Sequence, residues 1–402
     1  MLFRSGDGEK DKNDSGEKKS ADEDSAKGTG KDAKNDDAKK NEQKKNAEDD
    51  EQFKGRDEIG QASNNEFVAA SQIESNSGVG EGGDFARGSY TIQCSLTGNR
   101  NPDNPLLNPG VRNGAQHLHD YAGNESANAN SDTQTLSAAN STCTNGDLSP
   151  LFWPVMRNIN GVGPDQGQDG GSLDGNVGSL VDPTSLDITF HGHGDEPVQA
   201  MPLNIALSTG AAKAGTENGK GANAKYACSG AEDQVTDLYP ICPAGSELQR
   251  IYDFPSCWDG ENLDSEDHTT HLVFPDKDGE CASDEVPVPA LRMTIAYDDV
   301  PSGRSFAIDS FPEQQHDPIT DHALAEYITS ERRAEAGAAC INAGRDCVQG
   351  SESAARGSLA LEDQQPKPLN FGKALSTHGH AHGLGQGPSP HAPSGPAAPA
   401  HP

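Results

Sequence analysis

Eight cysteines constrain this chain more than any other feature: Cys94, Cys143, Cys228, Cys242, Cys257, Cys281, Cys340 and Cys347. Their number is even and no C-x-x-C pair occurs, so zinc ribbons and thioredoxin-like motifs lack their spacing. An even, dispersed set in a polar, glycine-rich chain reads as a disulfide framework, hence an oxidising compartment. Cys340 and Cys347 are close enough for a local loop. The other pairings stay open, since eight cysteines allow about 105 connectivities. With every thiol in a disulfide, a catalytic cysteine is not expected.

The N-terminus conflicts with that compartment. Met1-Leu2-Phe3-Arg4 is too short for the apolar core of a signal peptide, and no long apolar run follows. The conflict resolves if the true start lies upstream and Met1 to Phe3 are the tail of a removed or anchoring segment. The competing reading is a cytosolic protein with free thiols. The cysteine count favours secretion or the cell surface.

Hydrophobic residues are 32% and aromatics 5% of 402, too few for a chain folded throughout. Residues 1–87 read as a disordered charged tether and linker, and 351–402 as a disordered His/Gly/Pro-rich tail. His378, His380 and His382 alternate in that tail without a scaffold to hold a metal. Between them, residues 88–350 read as one domain. Ser89-Tyr90-Thr91-Ile92-Gln93-Cys94 alternates as a half-buried strand does. Short apolar runs follow at Leu151 to Met156, Leu186 to Phe190, Leu272 to Phe274 and Leu291 to Tyr297, each closed by turn residues. The pattern predicts a mainly β fold, an antiparallel sandwich or jelly roll with long loops. One C-terminal helix is predicted over Thr320 to Ala339, capped by Asp321, with Leu324, Tyr327 and Ile328 at helical spacing.

The net charge is -32, which repels nucleic acid and anionic lipid. No segment suits membrane insertion. Of 31 Lys and Arg, 14 lie in the first sixty residues, and Lys213, Lys220, Lys225 and Lys277 are the only lysines between Arg56 and Lys367. Scattered acids with scarce lysine suit a protein bathed in concentrated salt, where screening removes self-repulsion. An ordinary acidic secreted protein is the alternative.

Two stretches carry a resemblance. Phe254-Pro255-Ser256-Cys257-Trp258-Asp259-Gly260-Glu261-Asn262-Leu263-Asp264-Ser265-Glu266-Asp267-His268-Thr269-Thr270-His271 closely matches F-P-x-C-W-D-G-x-N-L-D-S-x-D-H-x-x-H. That hallmark belongs to the secreted bacterial and fungal family catalogued as domain of unknown function number nineteen-ninety-six. Asn108-Pro109-Gly110 with His117-Leu118-His119-Asp120-Tyr121-Ala122-Gly123 is similar to the family's N-terminal P-G…H-x-H-x-x-x-G element. Thr142-Cys143-Thr144 and Trp153 fit the next one. Phe311 to His316, Asp321-His322 and Cys340 to Arg345 resemble the ending of bacterial members. The resemblance covers roughly residues 88–350 and implies secretion, without naming a reaction. His191-Gly192-His193-Gly194 matches no family element and, flanked by glycine, reads as an exposed loop.

His117 and His119 are two apart, so on a strand both rings address one point. Asp120 would hold a ring tautomer, while His268 and His271 converge only on a tight turn. The sharp expectation is a cleft lined by His117, His119, His268 and either His271 or His322, with Asp120, Asp264 or Asp267. Such a set suits a divalent metal ion such as zinc, copper or manganese, or general acid–base work. The plainer reading is that these polar groups satisfy loop backbone and pin it. The sequence has no G-x-S-x-G, phosphate loop or dinucleotide fingerprint.

Two functions follow. One is an enzyme on extracellular polysaccharide. A hydrolase would use two carboxylates among Asp120, Asp264 and Asp267, and a lyase a base from His117, His119 or Tyr121. The other is a non-catalytic glycan-binding or structural envelope module, with Trp153 and Trp258 as stacking platforms. Asn124-Glu125-Ser126 and Asn140-Ser141-Thr142 match the glycan acceptor pattern.

Overall fold

The computed structural model describes residues 62–348, Ser77 excepted. The charged segment up to residue 61 and the tail beyond Val348, with its alternating histidines, lie outside the described residues.

The fold is mainly β. Seven strands form one sheet in the order Ala231–Thr236, Lys225–Cys228, Leu248–Asp253, Ala290–Tyr297, Ser185–His193, Phe85–Ile92 and Asp346–Val348. Neighbours are antiparallel except the last pair. A second sheet orders four strands as His119–Gly123, Pro150–Pro154, His322–Glu326 and Ala206–Gly210, all antiparallel.

Alternation packs the two sheets as a sandwich. Ile92, Phe190 and Leu291 of the larger sheet share a core with Leu151, Leu207 and Ala325 of the smaller. The smaller sheet is apolar on its other face too, where Tyr121, Phe152, Leu324 and Ile328 bury against Ala127 and Leu136. Leu136 comes from a short helix, Thr133–Ser137, which Asp132 caps by accepting from Thr135 N.

The runs at Leu186 and Leu291 lie wholly in strands, and those at Ser89, Leu151 and Leu272 lie in strands apart from Gln93, Cys94, Val155 and Phe274. The C-terminal helix starts later than predicted. His322–Glu326 is a strand, and the helix is Glu331–Asn342, capped by Ser330. Helical spacing misled because this strand is buried on both faces, which erases its two-residue alternation. Asp321 does not cap that helix; its carboxylate is held by Arg250 at 2.6 and 2.9 Å.

The stretch read as linker also contributes. Phe67–Ala69 runs parallel to Tyr239–Ile241, and the Phe67 ring packs 5.1 Å from Tyr239 and 5.3 Å from Phe306. His191 and His193 end a long strand and are no exposed loop. The His193 nitrogens face the Gly279 and Val288 carbonyls, and His191 stacks on Phe85 at 3.9 Å. Asn124 is fully buried and donates to the Leu136 and Leu148 carbonyls, which removes it as a glycan acceptor in the folded state.

Every described cysteine is paired, as Cys94–Cys143, Cys228–Cys242, Cys257–Cys281 and Cys340–Cys347. Among the described residues no helix is long and apolar enough to cross a membrane.

The far end of the His322–Glu326 strand gives a pH prediction. Glu326 is 6% exposed and accepts from Thr133 Oγ1 at 2.6 Å. Burial pushes its carboxyl up to about 7, Thr133 opposes this, and Asp132 and Asp264 add to it. The folded pKa lies above the unfolded one, so this group lowers stability as pH rises from about 4.5 to 7. Glu326→Gln is expected to be about 3 kcal/mol more stable than the parent at pH 8 and equal to it at pH 4. Urea unfolding at both pH values checks this; equal stabilities at pH 8 would refute it.

Candidate functional site

His119 opens its strand and His322 opens another two places across the sheet. Both residues share the outer face with Tyr121 and Leu324, by the two-residue period of each strand. His117 stands just ahead of the first strand, after Gln116 in a left-handed conformation (φ 54°). The three rings meet edge to face, with centroids 4.7 Å apart for His117–His119, 5.2 Å for His117–His322 and 5.8 Å for His119–His322. One nitrogen from each lies within 4.8 Å of the others.

Backbone carbonyls orient two of the rings. His119 Nδ1 faces the Asp103 carbonyl at 3.1 Å, and His322 Nδ1 the Thr320 carbonyl at 2.8 Å. A carbonyl only accepts, so both Nδ1 atoms carry the proton and both Nε2 atoms present bare lone pairs. His117 Nε2 is 3.3 Å from His322 Nε2. A hydrogen bond from His117 to His322 would account for those two Nε2 atoms, whereas His117 Nδ1 and His119 Nε2 are each buried without a hydrogen-bond partner. The Tyr121 hydroxyl donates to the same Asp103 carbonyl at 3.0 Å, while the Asp103 carboxylate accepts from Asn113 N and Ala129 N.

The cluster is sealed. Exposures are 1% for His117, 0% for His119 and 5% for His322, in place of the expected open cleft. Phe311 lies edge-on to His117 at 5.3 Å and Phe152 edge-on to His119 at 5.2 Å. Lys213 Nζ stands 5.5 Å from the Phe311 ring centre. Burial holds His117 and His119 well below the ordinary imidazole range and lowers His322 as well; each of His117 and His119 is depressed further by neighbouring rings of the cluster. Three neutral imidazoles therefore face one point.

The other predicted site residues are placed elsewhere. His268, in a left-handed conformation (φ 57°), pairs with Asp264 at 3.0 Å, and that bond raises its pKa. His271 is buried, with Nε2 2.8 Å from the Ala206 carbonyl and Nδ1 3.0 Å from Ser265 Oγ. Asp267 accepts from Thr269 N, Thr270 N and two hydroxyls, which hold its carboxyl low. Asp259 accepts from Glu261 N and Asn262 N. The hallmark segment is thus a self-bonded loop docked on the edge strand Ala206–Gly210, also through Ser208 Oγ to the His268 carbonyl. That shields a sheet edge.

Asp120 faces the opposite side of its strand from His119, where Arg100 Nε donates to it at 2.5 Å, so it orients no ring. Tyr121 is 1% and Trp153 0% exposed, which ends their roles as base and stacking platform. Trp258 is half-buried beside the Cys257–Cys281 disulfide, its Nε1 donating to the Asn262 carbonyl at 2.6 Å. Cys257, Cys281 and Glu285 also cluster, but the two sulfurs are bonded to each other.

Sequence reasoning missed the support for the cluster. Arg250 is fully buried and donates to the Asp321 carboxylate next to His322, and to the carbonyl of Pro154, which pairs with His119. The signal available was an arginine in the short strand-like stretch Leu248-Gln249-Arg250-Ile251-Tyr252 of a cation-poor chain. The carbonyls of Asp103 and Thr320 left no signal, because any residue supplies one.

No curated protein and no solved structure matches the chain. The model of the family Domain of unknown function (DUF1996) matches residues 104–318, more than half of the 402, and the chain belongs to that family.

Proposed function

We propose that this is a secreted or surface-held metal-binding module whose centre is His117, His119 and His322. The observation that carries the reading is the convergence of three buried imidazole nitrogens, with His119 Nε2 left unpaired. An unpaired buried acceptor costs about 1–3 kcal/mol, and a bound ion would remove that cost at His119 Nε2. Zinc or copper suits an all-imidazole set, whereas manganese prefers oxygen donors that the cluster lacks. The ion would tie the loop before His119 to the strand of His322. Four disulfides support the oxidising compartment.

Protein made in an oxidising compartment is expected to bind about one transition-metal ion per chain that His119→Ala does not bind. Saturating metal should raise the unfolding free energy of the parent by about 4 kcal/mol at a thousandfold excess over Kd, and leave the variant unmoved. Equal metal content and equal stabilisation in both proteins would end the reading.

Action on polysaccharide is the second reading, favoured by the cover. Phe311 is half-buried and Lys213 exposed, so a small displacement would open the centre beside a cation able to meet an acidic sugar. It is a metal-dependent reading, since Asp264 and Asp267 are engaged in their own loop and Asp120 with Arg100. Turnover of acidic or neutral polysaccharide by metal-loaded protein, abolished in His119→Ala, would establish it. Absence of turnover leaves the non-catalytic module.

Adaptation to salt is part of the proposal. Lys225 and Arg292 are spent on Asp253 inside the fold, which leaves the surface acidic. The thermal midpoint should rise steeply between low and molar salt, and a flat response would refute this.

A further inference from the structure

We propose that the centre takes copper in its monovalent state in preference to a dication such as zinc; this rests on the reading that the three imidazoles bind a metal at all.

Charge is the first argument. The donor set is three neutral nitrogens, with no thiolate or carboxylate among them. Of the nearby carboxylates, Asp321 is paired with Arg250, Asp309 shares Arg157 with Asp165, Asp120 shares Arg100 with Asp182, and Asp103 accepts from backbone N–H groups. None of them is among the ligand atoms of the cluster, so an ion placed among the rings receives no anionic ligand inside a low-dielectric region. The cost of burying a charge grows as its square, so a dication costs about four times as much as a monocation.

Coordination number is the second. A zinc ion completes a tetrahedron, so three imidazoles leave it one ligand short. The rings are 0–5% exposed and walled by the edges of Phe152 and Phe311. A water or hydroxide in the fourth place would have to sit against those apolar edges. Monovalent copper shares the filled d shell of the zinc ion but carries half its charge, and is satisfied by three nitrogens in a plane.

Preorganisation is the third. Two nitrogens bound at about 2.0–2.1 Å to a common ion lie roughly 3.3–3.6 Å apart for tetrahedral to trigonal angles. His117 Nε2 and His322 Nε2 are already 3.3 Å apart, at the tetrahedral end of that range, so the spacing prepares the centre for an ion without choosing between the two metals. The proton positions set by the Asp103 and Thr320 carbonyls leave the Nε2 lone pairs of His119 and His322 free for the ion. A donor set without an anionic ligand also favours the lower charge state of a redox couple.

The test uses the full-length, disulfide-intact, metal-free chain carrying His378→Ala, His380→Ala and His382→Ala, so that these tail imidazoles do not compete. Zinc, divalent copper and monovalent copper are titrated separately, the last anaerobically as its acetonitrile complex against a coloured chelator, with no thiol present. Monovalent copper is expected to bind at about one equivalent and at least about a hundredfold more tightly than zinc. Its X-ray absorption edge should show three-coordinate monovalent copper with nitrogen neighbours. His322→Ala should lose this binding while keeping its circular dichroism spectrum. Zinc bound as tightly as monovalent copper overturns the inference and leaves the metal reading standing. If none of the three ions binds, or His322→Ala retains the copper, the metal reading falls and the inference falls with it.

Discussion

Arg250→Met is expected to destabilise the protein by about 3–5 kcal/mol, because it strands the Asp321 carboxylate in the core. Arg250 is 0% and Asp321 1% exposed. Its guanidinium grips the carboxylate with two bonds, of 2.9 and 2.6 Å, and donates to the Pro154 carbonyl at 2.7 Å and the Tyr297 hydroxyl at 3.0 Å. The Tyr252 hydroxyl adds a bond of 2.8 Å to the same carboxylate. Arginine suits this place because its planar fork serves four acceptor atoms in fixed directions, which a lysine ammonium does not. Arg250→Lys should therefore recover only part of the loss. The double variant Arg250→Met/Asp321→Leu should be markedly more stable than Arg250→Met alone, since it removes both charges. Chemical denaturation of the four proteins decides it. A loss below about 1 kcal/mol for Arg250→Met would mean that water or proton uptake relieves Asp321, and the pair would not be the clamp beside His322.

The legible parts of the fold were those whose information is local. The runs at Ser89, Leu186 and Leu291 alternate and are bounded by turn residues, and each lies in the large sheet. His322–Glu326 failed the same test. Ala323 and Ala325 face one core while Leu324 faces the other, so the strand offers no polar face to reveal its period. The site divides in the same way. His117 and His119 were legible as a pair, because two-residue spacing on a strand brings rings together. Their third partner was not legible, since which of His268, His271 and His322 joins them depends on sheet order. The hallmark drew attention to His268 and His271 by its density of polar residues. That density serves turns: Asp259, Asp264 and Asp267 accept bonds within their own loop. His322 lies beyond the residues 104–318 matched by the family model, yet its Nε2 lies 3.3 Å from His117 Nε2 in the cluster.

Removing the Cys94–Cys143 disulfide as Cys94→Ala/Cys143→Ala should cost about 4 kcal/mol, the largest loss among the four bridges. The bridge spans 49 positions, against 24, 14 and 7 for Cys257–Cys281, Cys228–Cys242 and Cys340–Cys347. Closing a loop lowers the entropy of the unfolded chain by an amount that grows with the logarithm of its length, so the shortest bridge should contribute about 2.5 kcal/mol. The long loop also contains His117, His119 and the loop whose Asp103 carbonyl orients His119. Opening it removes one tether of that segment and leaves others, among them the strand pairing with Pro150–Pro154, Leu118 N to Asp309, Asn176 Nδ2 to the Gln116 carbonyl and Thr133 Oγ1 to Glu326. Metal affinity should therefore fall in this variant and hold in Cys340→Ala/Cys347→Ala, whose loop is remote in sequence from the first two ligands. Unfolding and metal titration of the four double variants test the ranking. If the Cys94–Cys143 variant is the least affected, loop closure does not govern the stability of this domain. If thiol titration of the native protein finds reduced sulfur, the oxidising compartment goes with it.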